Sequence, residues 1–152
     1  LARRLMRTLI LLTAVCFIAA SDVVPFTIVD GAEIPEPLGG LAGDPEAGRV
    51  LYFDRERVRC HICHGSPGGP GVEGNAGGLQ APDLTGLADR RTEGALRLWI
   101  VAPHLLAPGT EMPAYYALGG RMEATDPLYG GPLLTAQEVE DLVAWLMGLK
   151  GG

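Results

Sequence analysis

One short stretch of this chain carries most of its recognisable chemistry. Cys60-His61-Ile62-Cys63-His64 spells C-x-x-C-H, the spacing of c-type haem attachment. Two thiols so spaced can add across the two vinyl groups of one porphyrin edge. The histidine that follows can then reach the iron from one face with an imidazole nitrogen. Two other chemistries use a C-x-x-C pair. A thiol–disulfide catalyst sets it between a strand and a helix, whereas here a glycine- and proline-rich stretch follows, including Ser66-Pro67-Gly68-Gly69-Pro70-Gly71. A structural zinc site needs a full set of ligands, and the remaining cysteine, Cys16, stands far upstream with no second pair to complete one. His61, between the two thiols, is expected to face solvent and is given no role.

An electron-transfer haem needs a second axial ligand on the opposite face. Met112, Met122, Met147 and His104 are the available side chains. Met112 leads, because it lies in Gly109-Thr110-Glu111-Met112-Pro113-Ala114-Tyr115, within a stretch long enough to pass over the far side of the ring. Pro113 stiffens the backbone beside it. Met122, in the same stretch, and His104, after Pro103, are the alternatives; Met147 falls in the last helical pattern and reads as core. The expected site is therefore one haem c, anchored by Cys60 and Cys63, with His64 and Met112 on the iron. Methionine ligation raises the reduction potential relative to a second imidazole, which suits a protein that accepts electrons.

The elements that must position these residues read as all-α. Asp44-Pro45-Glu46 has the form of a helix start. The helix it opens carries Val50, Leu51, Tyr52 and Phe53 and is expected to end near Arg59. A second helix is expected from about Thr92 through Leu96, Trp99 and Ile100, stopped by Pro103. The last is the clearest: Thr135-Ala136-Gln137-Glu138 is a capping box. Val139, Leu142, Val143, Leu146 and Leu149 then follow at helical spacing, with Lys150 and Gly151 favourable at the end. Residues 65–82 and 108–132 read as loop. Helices so widely separated make a weak fold alone. Aromatic residues are only 6% of the chain, so a haem would supply the large apolar body the loops surround.

Residues 1–20 read as a signal peptide: Arg3, Arg4 and Arg7, an uncharged apolar run over 9–20, then small residues at Ala19, Ala20 and Ser21. The run is shorter than the ~20 residues of a spanning helix. Val15 before Cys16 fits a lipid-anchor signal poorly. The expectation is export to the periplasm, with no membrane span after cleavage, an arm over 21–43 that is extended and rich in proline and glycine, and a single domain over 44–152. A net charge of -6 argues against nucleic acid, which needs a basic surface.

The pattern resembles SoxX, the cytochrome c subunit of the SoxXA complex of bacterial sulfur oxidation. The resemblance rests on Ile34-Pro35-Glu36-Pro37-Leu38 and Gly43-Asp44-Pro45, on the haem motif, and on Ala81-Pro82-Asp83-Leu84-Thr85-Gly86. It continues through Met112-Pro113-Ala114-Tyr115-Tyr116 to Pro132-Leu133-Leu134-Thr135-Ala136-Gln137-Glu138. It implies a class I cytochrome c-like fold of about three to four helices wrapped round one haem. By similarity to class I cytochromes, the Pro82 carbonyl would accept the His64 imidazole N–H, and Gly48 with Tyr52 would meet Trp145 where the first and last helices cross. The resemblance further implies a SoxA-like partner and a small soluble cytochrome c as electron acceptor. The whole complex couples thiosulfate oxidatively to a cysteine of the SoxYZ carrier, a thiosulfotransferase reaction whose catalytic cysteine lies on the partner; this chain would be the non-catalytic electron-accepting subunit. The alternative is a free-standing monohaem carrier of a respiratory chain, which has no need of the arm.

Overall fold

Asp44 begins the first helix as its residue type demands. Its carboxylate accepts the backbone N–H of Glu46 and Ala47 at 2.9 and 3.4 Å, and Pro45 takes the first helical position. In the computed structural model, which describes residues 23–64, 81–117 and 131–151, this helix is α1, Pro45–Tyr52. The expected signal peptide, the stretch directly after His64, and Met122 lie outside the described residues.

α1 stops at Tyr52 rather than near Arg59. Asp54 is the reason: its Oδ1 accepts the N–H groups of Glu56 and Arg57 at 2.8 and 3.0 Å, a turn that competes with helical bonding. A single turn, α2 (Cys60–Cys63), follows. Thr92 caps α3 (Glu93–Val101) through a 3.1 Å bond from the Ala95 N–H. Pro103 does more than end it. The residue before a proline is pushed off helical geometry, and Ala102 breaks the helix at φ -152, ψ 66, after which Pro103 opens the short α4 (Pro103–Leu106). α5 (Ala136–Leu146) starts on the expected capping box, with both reciprocal bonds between Thr135 and Glu138 present. It ends at Leu146 with Met147 as C-cap, so Lys150 and Gly151 lie beyond it. Among the described residues there is no strand, only an isolated bridge between Val29 and Glu33. Among the described residues the fold is helical, as expected, with three longer α-helices, two single α-turns and two short 3-10 turns at Leu38–Gly40 and Leu87–Asp89.

α1 lies across α5 at close range. A Cβ on Gly48 would run into the Asp141 carbonyl and the Leu142 amide, so only glycine permits the approach. The rings of Tyr52 and Trp145, 4.3 Å between centroids, fill the crossing. Val139, Leu142, Val143, Leu146 and Leu149 are buried against Leu96, Leu98, Ile100 and Val101 from α3.

Over residues 23–43 the chain is extended at first, folds back and then forms a 3-10 turn at Leu38–Gly40, and it is part of this core. Val24, Phe26 and Ile28 alternate inward at the period of an extended chain. The chain then turns at Asp30 and Gly31, both at positive φ. On the return, Ile34 and Leu38 are each 1% exposed. A buried ion pair holds them: Arg97 Nε and Nη2 each reach Glu140 at 2.8 Å, Arg97 Nη1 donates to the Ile34 carbonyl at 2.6 Å, and Glu140 accepts the Leu38 N–H at 2.8 Å.

Candidate haem-binding site

The segment before the motif is locked from several sides. Arg57 pairs with Glu138 of α5 and donates to the Leu133 carbonyl at 2.8 Å. Val58 is buried, and its carbonyl accepts the Tyr115 hydroxyl at 3.0 Å. Arg59 takes a left-handed conformation, φ 57, that costs a non-glycine residue about 1–2 kcal/mol. Its N–H reaches back to the Asp54 carbonyl at 2.9 Å. That reversal delivers the chain into α2, whose single turn sets Cys60 and Cys63 at i, i+3 on one face. Both thiols are free; Cys63 is exposed, while Cys60 is partly buried and packs against the apolar core.

His64 follows in extended geometry, φ -106 and ψ 127. Its Nδ1 lies 2.9 Å from the Pro82 carbonyl. A carbonyl only accepts, so the bond needs the proton on Nδ1 and leaves the Nε2 lone pair free. Tyr52 closes the other side, donating its hydroxyl to the His64 carbonyl at 3.1 Å. His61 does not simply face solvent: it is half-buried, with Nδ1 3.2 Å from the Tyr52 carbonyl and its ring 5.6 Å from that of Phe53.

Met112 is half-buried and packs against the same apolar cluster as Cys60. Its N–H donates to Thr110 Oγ1 at 3.1 Å. His104 is half-buried on α4, and Met147 packs on the cluster at the end of α5, as a core residue would. Among the described residues no three His, Cys, Asp or Glu side chains gather into a metal-holding group.

A reactive cysteine has a lowered pKa; burial instead pushes the Cys60 thiol up to about 12. Burial, with the nearby cysteine thiols adding to it, also raises Tyr52 and Tyr115, so both phenols remain donors at neutral pH. Neither tyrosine belonged to the expected ligand set. Tyr115 stands in the Met112 block, but nothing in residue type announced that its hydroxyl reaches a carbonyl beside the cysteines. The donor set fits haem c: two thiols on one face, a neighbouring imidazole whose Nδ1 is already engaged, and a thioether in the same apolar cluster.

The cytochrome c family model matches residues 45–150. The chain belongs to the cytochrome c family, whose members carry covalently bound haem c. A chain in the crystal structure of SoxXA from P. pantotrophus is 34% identical over 82% of this chain and 94% of that one, with a TM-score of 0.69. Within the family, then, this is a SoxX-like electron-transfer cytochrome, and the resemblance read from the motifs is borne out. A search of curated proteins found no match. No helix among the described residues is long and apolar enough to cross a membrane.

Proposed function

We propose that this chain is the electron-accepting subunit of a SoxXA-type complex, exported to the periplasm and carrying a single haem c. Cys60 and Cys63 would hold the porphyrin covalently, and His64 Nε2 and the Met112 sulfur would be the iron's ligands. Haem c bound there supplies a one-electron couple. Pro82 holds the imidazole in the tautomer that presents Nε2 and orients its ring. The apolar cluster covers Cys60 and Met112 in part. The observation that carries this reading is the 2.9 Å contact between His64 Nδ1 and the Pro82 carbonyl, the geometry a histidine needs to act as a ligand through its other nitrogen.

The complex-bound role draws support from the extent of the SoxXA match. It covers more of the chain than residues 45–150 can supply, so it reaches into the arm. Past residue 20, Cys60 and Cys63 are the only thiols. A chain that commits both to haem has no thiol left for thiosulfate chemistry and can only take electrons, from a SoxA-like partner, and pass them to a small soluble cytochrome c. The SoxYZ carrier would then be met through the partner. One observation favours the free-standing carrier instead: the arm is absorbed into this chain's own core and has a structural reason to exist.

Purification from cells growing on thiosulfate decides between them. The complex reading expects a second haem protein to co-purify, and the isolated chain to be inactive in thiosulfate coupling with one haem by pyridine haemochrome. A lone, partnerless cytochrome that reduces a respiratory acceptor overturns it.

A further inference from the structure

Tyr115 ties together three segments that meet nowhere in the sequence. Its N–H donates to the Ile100 carbonyl at the end of α3 at 3.1 Å. Its carbonyl accepts the Leu134 N–H, just before α5, at 3.1 Å. Its hydroxyl, buried, donates to the Val58 carbonyl at 3.0 Å, two residues before Cys60. We propose that Tyr115 is a positioning residue: its hydroxyl fastens the Met112 segment to the segment that bears Cys60 and His64, and so keeps the Met112 thioether at the iron. The inference rests on the reading of Met112 as the second axial ligand.

The argument is one of stiffness. Only Pro113 and Ala114 separate Met112 from Tyr115. Proline fixes one of the few soft dihedrals in that link, and Ala114 is buried at 2% exposure. Wherever Tyr115 is pinned, Met112 is carried with little slack. Val58 is a firm anchor in turn, since Arg57 beside it is held by Glu138 and Leu133, and Arg59 by Asp54. The next residue provides a contrast. The Tyr116 hydroxyl accepts the Val24 N–H at 2.6 Å and so fastens the arm; among the described residues it has no hydrogen bond to the cysteine-bearing segment.

The test uses the ferric holoprotein, with imidazole as a competing ligand. The readout is the sulfur-to-iron charge-transfer band in the near infrared. Tyr115→Phe keeps the ring and removes the strut, and Tyr116→Phe is its control. The imidazole concentration that displaces the band should fall about tenfold in Tyr115→Phe, the effect of losing one buried hydrogen bond. In Tyr116→Phe it should stay within about twofold, even though thermal stability drops comparably in both, since each loses one such bond. Equal displacement in Tyr115→Phe and the parent protein overturns the inference. So does an equal shift in both variants, which marks general destabilisation. Persistence of the band in Met112→Ala is a separate failure, of the ligand assignment itself.

Discussion

At the scale of single residues, the site depends on which ring nitrogen and which sulfur are left free. His64 spends Nδ1 on a backbone carbonyl, so it has one nitrogen to offer and one orientation in which to offer it. The same logic makes Met112 testable by exchange of ligand type. Met112→His should keep the haem and lower the reduction potential by on the order of a tenth of a volt or more, within the ~0.8 V that axial ligands command. Redox titration of the variant checks this, and an unchanged potential would remove Met112 from the iron. Tyr52 is the other residue whose importance exceeds its apparent type. Its hydroxyl donates to the His64 carbonyl, its ring packs on Trp145, and its backbone carbonyl lies 3.2 Å from His61 Nδ1.

At the scale of elements, the crossing of α1 and α5 is set by a missing side chain. Within a helix, alanine is ordinarily better than glycine by about 1 kcal/mol. At Gly48 the sign should reverse, because the added Cβ meets backbone of α5 that cannot yield cheaply. Gly48→Ala should cost about 1–3 kcal/mol in chemical denaturation, while Gly109→Ala, with nothing within 4 Å of its Cβ, should change stability little. Glu138 gives this region a pH dependence. Burial raises its carboxyl, but hydrogen bonds from Arg57 and Thr135 outweigh that and hold it below the usual carboxylate range. A group depressed on folding stabilises the protein above its unfolded pKa, about 4.3 for glutamate, and loses that contribution as pH falls through the folded value. Glu138→Gln keeps a capping-box side chain and removes the charge. It should therefore unfold more easily than the parent at neutral pH, and the two denaturation midpoints should converge as the solution is acidified. A gap that persists in acid would show that shape, not charge, is what Glu138 contributes.

At the scale of the whole molecule, the arm and the helical body share one core through Arg97 and Glu140. Both charges are almost fully buried, at 1% and 4% side-chain exposure. Such a pair need not be stabilising in total, yet losing one member strands the other, at a cost of about 3–5 kcal/mol. Arg97→Ala should therefore lower stability by that amount. It should also release the Ile34 and Pro35 carbonyls, so that limited proteolysis cuts within residues 30–38 well before the body. Simultaneous digestion of arm and body would mean that the pair does not specifically fasten the arm.

Much of this protein was written locally. The haem motif, the Asp44, Thr92 and Thr135 caps and the apolar spacing of α5 depend only on neighbours a few residues away, so the sequence alone determined them, and with them the helical class and the attachment chemistry. The end of α1 is set instead by Asp54, which accepts its own neighbours' amides, a competition that helical periodicity does not register. The role of the arm, the partnership of Arg97 with Glu140, and the reach of Tyr115 to Val58 join residues 43 to 63 positions apart. Such pairings follow from which surfaces meet once the helices pack. Only the tertiary structure could decide them, because a buried charge or phenol bonds to whichever group the fold brings within reach.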